Sequence, residues 1–201
     1  TKHLVASRIE KNESFNGGGV YFERGGTTTL VENSLFARNT GNATGASGGG
    51  GGGLQLTAGG ALVRNSLFHD NVTANYGGGI MTSYQQATAR IVNCTLVYNQ
   101  APSSRGGGIG VRYANHNAGS GIQLLNSIVY HNAAHNIYYE AGLGTDADAI
   151  TKSVFTNNIT TVLQGSQPFP GTGNITAAPT FLDAGADNYR LARDSRGVNE
   201  G

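Results

Sequence analysis

Several common classes of protein are excluded by what this sequence lacks. One cysteine among 201 residues rules out an internal disulfide framework and a cysteine-rich metal site. Charged residues make up only 12% of the chain and the net charge is +1, so we expect no basic face and no nucleic-acid partner. No apolar run approaches the roughly 20 residues that a membrane-spanning helix needs, which predicts no membrane span.

Signals for a leader and for helices are also missing. The sequence starts at Thr1 without a signal peptide, which favours a mature chain or an excised piece of a longer one. The apolar residues show no period of about 3.6, so helices are not expected. With 38% hydrophobic residues at regular positions, the chain is nevertheless expected to fold rather than to stay disordered.

Glycine is present in excess, at 32 positions, and without the three-residue period of collagen. Triplets of glycine precede an aliphatic residue, as in "GGGI" at Gly77 and Gly106, and each repeat closes on an asparagine. The closing asparagines are Asn12, Asn39, Asn71, Asn99, Asn132 and Asn158. Their spacing drifts between roughly 26 and 33 residues while the apolar positions stay in step, which indicates a solenoid with insertions in its loops.

Stacking the repeats places equivalent residues above one another, about 4.8 Å apart. Short β-prone runs then form an aliphatic, a small and a bulky column. The columns are Val31, Val63, Ile91 and Leu124; Ser34, Ser66, Cys94, Ser127 and Ser153; and Phe36, Phe68, Leu96, Val129 and Phe155. We therefore predict an all-β fold, a right-handed single-stranded parallel β-helix of about six to seven coils.

The repeated glycines and asparagines receive structural interpretations. Glycine permits a sharp corner before each inward aliphatic residue, whereas a phosphate-binding loop would need a following helix. Asparagine tolerates left-handed turns, and stacked amides form a ladder, which we predict for the closing column and for Asn33, Asn65, Asn93 and Asn126. Cys94 stands where other coils have serine, so it is interpreted as a small buried packing residue.

Glycine-triplet and Phe-x-x-Asn motifs recur along the chain. They are "GGGV" at Gly17, "GGGL" at Gly51, "GGGI" at Gly77 and Gly106, "FARN" at Phe36 and "FHDN" at Phe68. These motifs resemble the repeats of bacterial polymorphic outer-membrane proteins and related right-handed β-helix surface proteins. The resemblance implies a secreted or cell-surface location. It does not imply one activity, because that group includes adhesins, surface passengers and polysaccharide-degrading enzymes with a pectate lyase-like fold.

The C-terminal tail resembles the closing segment of many secreted β-helix proteins. It departs from that pattern where Ala178 precedes Pro179 and where Arg196 follows Ser195. The resemblance implies a single domain in which residues 1–160 form the coils and residues 161–201 form a closing segment that packs on the helix or continues it.

The outward position before each closing asparagine carries the most reactive groups. Asp70, Tyr98 and His131 share this column with Arg38 and Asn157, and stacked coils would bring their side chains together. An aspartate beside a histidine or tyrosine tunes a general base, so Asp70, Tyr98 and His131 are the candidate catalytic residues. The candidate ligand-binding residues, suited to carbohydrate, are Arg38, His69, Tyr130, Arg112 and Tyr113. The alternative interpretation is a polar outer wall with no further role.

Evidence for a metal or a modification is sparse. No cofactor is predicted, except that the carboxylate pair Asp146 and Asp148 in "GTDADAI" is a candidate calcium site. Arg112 and Tyr113 lie in an insertion that is expected to overhang a groove. Among the Asn-x-Ser/Thr sequons, Asn42 and Asn174 fall in loops and are the better candidates for glycosylation.

Three functions are compatible with these features. The first is a secreted or surface segment acting as a structural stalk, an adhesin or a glycan-contacting passenger, with a polysaccharide or cell-surface glycan as partner. The second is a polysaccharide lyase or glycoside hydrolase that uses an outer-face groove. The third is a self-assembling extracellular fibre that stacks through uncapped ends, since no capping helix precedes the first coil. The first is favoured because no outward group completes a catalytic constellation.

Overall fold

A computed structural model describes residues 1–23, 28–44, 49–57, 60–83, 89–102, 105–112, 122–133, 135–139, 154–156, 159–160 and 172–195. Four parallel β-sheets surround one apolar core, and a β-hairpin lies against the outside of the second sheet. The fold is an all-β parallel β-solenoid, which confirms the predicted class. Within the described ranges helix is limited to a 3-10 turn at Ala184–Ala186, and none is long and apolar enough to cross a membrane.

The first three coils pass through the sheets in the order A, B, C and D. Sheet A contains β1 (Lys2–Val5), β5 (Thr29–Glu32), β9 (Ala61–Arg64), β13 (Ala89–Val92), β16 (Ile122–Leu125) and β19 (Val154–Thr156). Sheet B contains β2 (Arg8–Glu10), β6 (Leu35–Ala37), β10 (Leu67–His69), β14 (Thr95–Val97), β17 (Ile128–Tyr130) and β20 (Ile159–Thr160). Sheet C contains β3 (Glu13–Ser14), β7 (Thr40–Gly41) and β11 (Val72–Thr73). Sheet D contains β4 (Val20–Phe22), β8 (Leu54–Leu56), β12 (Ile80–Ser83), β15 (Ile109–Arg112) and β18 (Ile137–Tyr139). The antiparallel hairpin consists of β21 (Phe181–Asp183) and β22 (Asn188–Leu191).

The solenoid makes about four turns, slightly fewer than the six to seven coils predicted. The difference lies in the last coils, which are partial in the described part of the chain. After β15 the chain adds β16, β17 and β18 without a described strand in sheet C, and then only β19 and β20.

The core is built from the predicted columns. Val31, Val63 and Ile91 are fully buried and follow one another in register through sheet A. Phe36 lies over Phe68 with ring centroids 4.5 Å apart and planes within 8°, and Leu96 continues the column. Because equivalent side chains of successive coils contact each other, apolar surface is buried along the whole axis.

The last coil is placed differently from the sequence prediction. Phe155 pairs in register with Leu124 of sheet A, not with Val129 of sheet B as predicted from its closing asparagine. Val129 pairs with Thr160 instead. The final repeat therefore enters sheet A later than its motif suggested, because strand pairing, and not motif spacing, fixes the register.

The glycine corners take the predicted conformation. The first glycine of each triplet has a positive φ, between 54° and 70°, at Gly17, Gly51, Gly77 and Gly106. The second glycine allows coils to approach closely: a Cβ on Gly52 would lie 2.5 Å from the backbone oxygens of both Gly78 and Val72. Glycine is thus required at these corners for backbone conformation and for space.

The closing asparagines form a hydrogen-bonded ladder inside the solenoid. Asn39 Nδ2 donates to Asn71 Oδ1 at 2.9 Å, and Asn71 Nδ2 donates to Asn99 Oδ1 at 2.9 Å. Asn132 donates through Nδ2 to Asn136 Oδ1 at 3.0 Å, whereas Asn158, predicted as the next member, lies outside the described residues. Asn39, Asn71 and Asn99 are fully buried, so the ladder satisfies the backbone groups of the corner.

Candidate functional site

The outward column predicted from the repeats occupies one corner, between sheets B and C. Lys11, Arg38, Asp70, Tyr98 and His131 all have a left-handed backbone, with φ between 52° and 56°. Such a conformation costs a residue with a Cβ roughly 1 kcal/mol or more. At the corner between sheets A and B the chain uses asparagine instead, as at Asn33, Asn65, Asn93 and Asn126. The B–C corner therefore keeps charged and aromatic side chains at a conformational cost.

The hairpin meets this corner through an ionic cluster. Arg38 Nη2 lies 2.8 Å from Asp187 Oδ2, 3.8 Å from Glu10 and, through Nη1, 3.9 Å from Asp70. His69 Nδ1 lies 2.7 Å from Asp70 Oδ2 and 3.7 Å from Asp187 Oδ1. The Arg38 guanidinium and the His69 imidazole therefore link carboxylates of the coils to the Asp187 carboxylate of the hairpin.

Mutual charge and burial shift the ionisation of this cluster. The hydrogen bond from Arg38 lowers the pKa of Asp187, and the same bond raises the pKa of Arg38. Burial raises the pKa of Tyr189 to about 12, with a further contribution from the negative charge of Asp70. At neutral pH the ion pair is fully charged and the tyrosine is neutral.

Aromatic rings complete the contact between hairpin and solenoid. The Tyr189 ring lies 5.1 Å from His69 and 5.9 Å from Tyr98, measured between centroids. Tyr98 stacks on His131 at 5.3 Å with planes within 2°, and Tyr130 meets His131 edge-on at 4.8 Å. The Tyr130 hydroxyl also donates to the backbone oxygen of Thr176 at 3.3 Å. The tail is therefore held by rings as well as charges.

The docked hairpin covers part of the predicted site. Ala37, His69 and Val97 point outward from sheet B, since they alternate with the inward Phe36 column, yet each is at most 1% exposed. The hairpin lies over His69, whose ring is 5.1 Å from that of Tyr189. His131 stays exposed, and Arg38, Asp70, Tyr98 and Tyr130 are half-buried. The structure thus brings most of the candidate residues together, in a surface that is largely a docking interface for the hairpin.

Arg112 lies away from this cluster. It belongs to β15 in sheet D, is buried, and places its guanidinium 5.2 Å from the ring centroid of Tyr76. It does not lie in an overhanging loop as expected, because its strand continues sheet D. Tyr113, Asp146 and Asp148 lie outside the described residues.

One cluster in the described part of the chain has metal-ligating groups. His69, Asp70 and Asp187 place one potential ligand atom each within 4.8 Å of one another. Arg38 already pairs with both carboxylates, and a metal ion would compete with it. We therefore interpret the cluster as an ion-pair network that docks the hairpin.

The two loop sequons differ in accessibility. Asn42 is exposed, although its side-chain amide donates to the Glu13 carboxylate, and Asn174 is half-buried. Asn71, a sequon in the ladder, is fully buried and has no room for a glycan. Asn42 is thus the most accessible of these three positions.

A groove that the sequence interpretation missed runs beside the hairpin. It has a volume of about 850 Å³ and crosses four successive coils along the solenoid axis. Its lining consists of Asn33, Asn65 and Asn93 on one side, Leu35, Leu67 and Thr95 along the floor, and residues 187–190 of the hairpin on the other side. The groove exists because the hairpin stands on only part of sheet B. The tail segment "ADNYRL" contributes the hairpin side of the groove lining.

Comparison of the chain with protein-family models, with curated proteins and with solved structures finds no match.

Proposed function

We propose that this chain is a secreted or cell-surface β-solenoid that binds an extended glycan in the groove between sheet B and the hairpin. The groove carries the proposal: it is long, open and lined by side chains repeated once per coil. Glycan sites combine flat apolar surface with convergent hydrogen-bonding groups, and this lining supplies both. The resemblance of the repeats to polymorphic outer-membrane proteins agrees with an adhesin or surface passenger.

Binding without turnover is the favoured activity. Glycoside hydrolysis commonly uses two carboxyl groups on either side of the bond that breaks. Among the described residues of the groove lining, Asp187 is the only carboxylate, and it pairs with Arg38. The His69–Asp70 pair has the chemistry of a general base, but His69 is 1% exposed beneath the hairpin. These features support an adhesin or passenger over a lyase or hydrolase.

A glycan array read beside a turnover screen tests the proposal. We expect the purified chain to retain a subset of polysaccharides and to release no product from them. Leu67→Trp places a bulky ring on the groove floor and should abolish retention. Leu62→Trp is the matched control, because Leu62 is a half-buried outward leucine of the same coil on sheet A, outside the groove.

Three results would contradict this function. Retention that is equal in the two tryptophan variants would place the site elsewhere. Product release that is lost in His131→Ala or Asp70→Ala would instead support the lyase or hydrolase alternative. A chain that retains no glycan at all would rule the proposal out.

A further inference from the structure

Resting on the proposed function of the groove, we infer that its ligand is an uncharged polysaccharide, bound along the solenoid axis with one sugar per coil. The inference concerns the class of glycan and the alignment of its sugar units with the coils. It depends on how charge, amide groups and apolar surface are distributed along the groove.

Two of the three charged side chains that line the groove, Arg8 and Asp187, are paired within the protein. Arg8 donates through Nε to Glu10 Oε2 at 2.5 Å, and Asp187 accepts from Arg38 at 2.8 Å. Arg190, which is exposed, forms no ion pair among the described residues. An acidic polymer would have to break the pairs or rely on one arginine, whereas an uncharged polymer leaves them intact.

The amide wall suits hydroxyl groups. Asn33, Asn65 and Asn93 are exposed and lie one coil apart, each fixed by a left-handed backbone. Asn93 Nδ2 donates to Asn65 Oδ1 at 3.3 Å, which uses only part of the capacity of each amide. Sugar hydroxyls both donate and accept, so they complement a row of groups that do the same.

The floor suits the apolar face of a sugar ring. Leu35, Leu67 and Thr95 follow one another in register on sheet B and are half-buried. Their methyl groups form a strip parallel to the amide wall. A pyranose ring has C–H groups on its faces and hydroxyls at its edge, so it contacts floor and wall together.

The spacing of the groove favours a saccharide over a peptide. Coils are about 4.8 Å apart, so the four coils that line the groove span roughly 14 Å. An extended polypeptide advances only about 3.3 Å per residue and falls out of step with the coils. A sugar unit in an extended chain has nearly the length of one coil step, so identical contacts repeat from coil to coil.

Calorimetric titration of the whole chain tests the ligand class. The probes are oligosaccharides of neutral β-linked glucan, xylan and mannan, an oligogalacturonate, and dextran sulfate, each at low and high salt. We expect at least one neutral oligosaccharide to bind with an affinity that salt leaves unchanged, because no ion pair forms. Affinity should increase with length up to about four sugars, the number of coils along the groove, and then level off.

Two asparagine variants test the contact itself. Asn65→Gly removes a groove amide while glycine retains the left-handed turn, and we expect about five-fold weaker binding from the loss of one hydrogen bond. Asn126→Gly is the matched control, since Asn126 has the same backbone conformation but lies outside the groove lining. Equal affinity of the two variants would overturn the amide contact.

The outcomes separate this inference from the proposed function. Binding of the acidic polymers alone, weakened by salt, would overturn the uncharged class while glycan binding stands. Binding of no polymer would overturn both.

Discussion

At the scale of single residues, the solenoid depends on side chains that satisfy backbone groups at its corners. Asn71 shows the pattern: its Oδ1 accepts from the N–H and Nδ2 of Asn39, and its Nδ2 donates to Phe36 O and Asn99 Oδ1. Asn39 Nδ2 also donates to Ile9 O, and Asn99 Oδ1 also accepts from the Asn71 N–H, so the ladder shares its groups among several buried partners. Buried polar groups left unpaired cost more than the net value of the bond that satisfies them.

Asn71→Ala tests the ladder. The change removes four hydrogen bonds of the Asn71 side chain in the buried ladder, so we expect a loss of about 3 kcal/mol in the free energy of unfolding. Urea titration followed by circular dichroism measures it. Asn12→Ala, at the exposed end of the ladder, should cost much less. Equal losses in the two variants would show that the ladder does not stabilise the interior.

Cys94 belongs to the small column and behaves as a serine there. Ser34, Ser66 and Ser127 each donate to the carbonyl two residues earlier at 2.8 Å, and Cys94 Sγ donates to Val92 O at 3.3 Å. Burial raises the pKa of the Cys94 thiol to about 12, so it stays protonated at neutral pH. The residue is 1% exposed, in agreement with its interpretation as a packing residue.

Cys94→Ser should therefore be tolerated. Cys94 Sγ also accepts from the Ser66 backbone N–H. Serine retains this bond and the one to Val92 O, and we expect a change of less than about 1 kcal/mol in the free energy of unfolding. Cys94→Ala, the control, removes the acceptor that faces the Ser66 backbone and should cost about 1–2 kcal/mol. Urea denaturation of the two variants measures the difference, and a larger loss for serine than for alanine would contradict it.

At the scale of elements, the hairpin is the unit whose position does not follow from the repeat of the coils. Its two strands pair only with each other in the described structure, and it meets the solenoid through Arg38, Tyr98 and His69. The left-handed corner residues contribute most of these contacts. Their conformational cost is offset by hairpin docking, which in turn forms one wall of the groove.

The Arg38–Asp187 pair makes docking dependent on pH. Because Arg38 lowers the pKa of Asp187, the pair contributes fully above the ordinary carboxyl value of 3.8 and is lost as the pH falls through the lowered native pKa. The side chains are 37% and 39% exposed, so we expect an effect of less than about 1 kcal/mol.

Hydrogen exchange of the hairpin amides, corrected for intrinsic rates, measures this effect. Protection in the native chain should decrease as the pH falls below 3.8, whereas Asp187→Asn should show weaker protection that changes little over the same range. Asp194→Asn, at an exposed carboxylate in the same tail, should behave as the native chain does. A native-like pH response in Asp187→Asn would exclude the pair as the cause.

At the scale of the whole molecule, the solenoid is a stack of nearly independent coils. Ladder partners lie 27, 32, 28 and 33 residues apart, so each coil has its own length while the sheets stay in register. Contacts are made mostly to the coils above and below. Loops absorb the differences in length.

Removal of one coil should therefore leave a folded protein. Deleting residues 64–91 removes the 28 residues of one repeat and joins Val63 to Val92, so that all columns stay in step. We expect the circular dichroism of a β-solenoid with a lower urea midpoint. Deleting residues 64–90 is the control, because one extra residue turns the strand over and exposes its apolar face. Equal folding of the two deletions would contradict coil stacking as the basis of the fold.

For the coils before the last one, the sequence alone determined which residues form each column and where the corners lie. Glycine and asparagine set left-handed corners through local backbone chemistry, and the repeated interval places Val31 over Val63 without further information. The shared column of Arg38, Asp70, Tyr98 and His131 followed from the same spacing.

Only the tertiary structure decided the register of the last coil, the position of the hairpin and the presence of the groove. Phe155 has the expected motif but pairs with Leu124. The motif is the same in either register, so the energy of strand pairing decides between them. Arg38 and Asp187 are 149 residues apart in sequence, and no repeat relates them. Their contact depends on which outer face the tail covers best, a comparison of packing and charge that exists only once the coils are stacked.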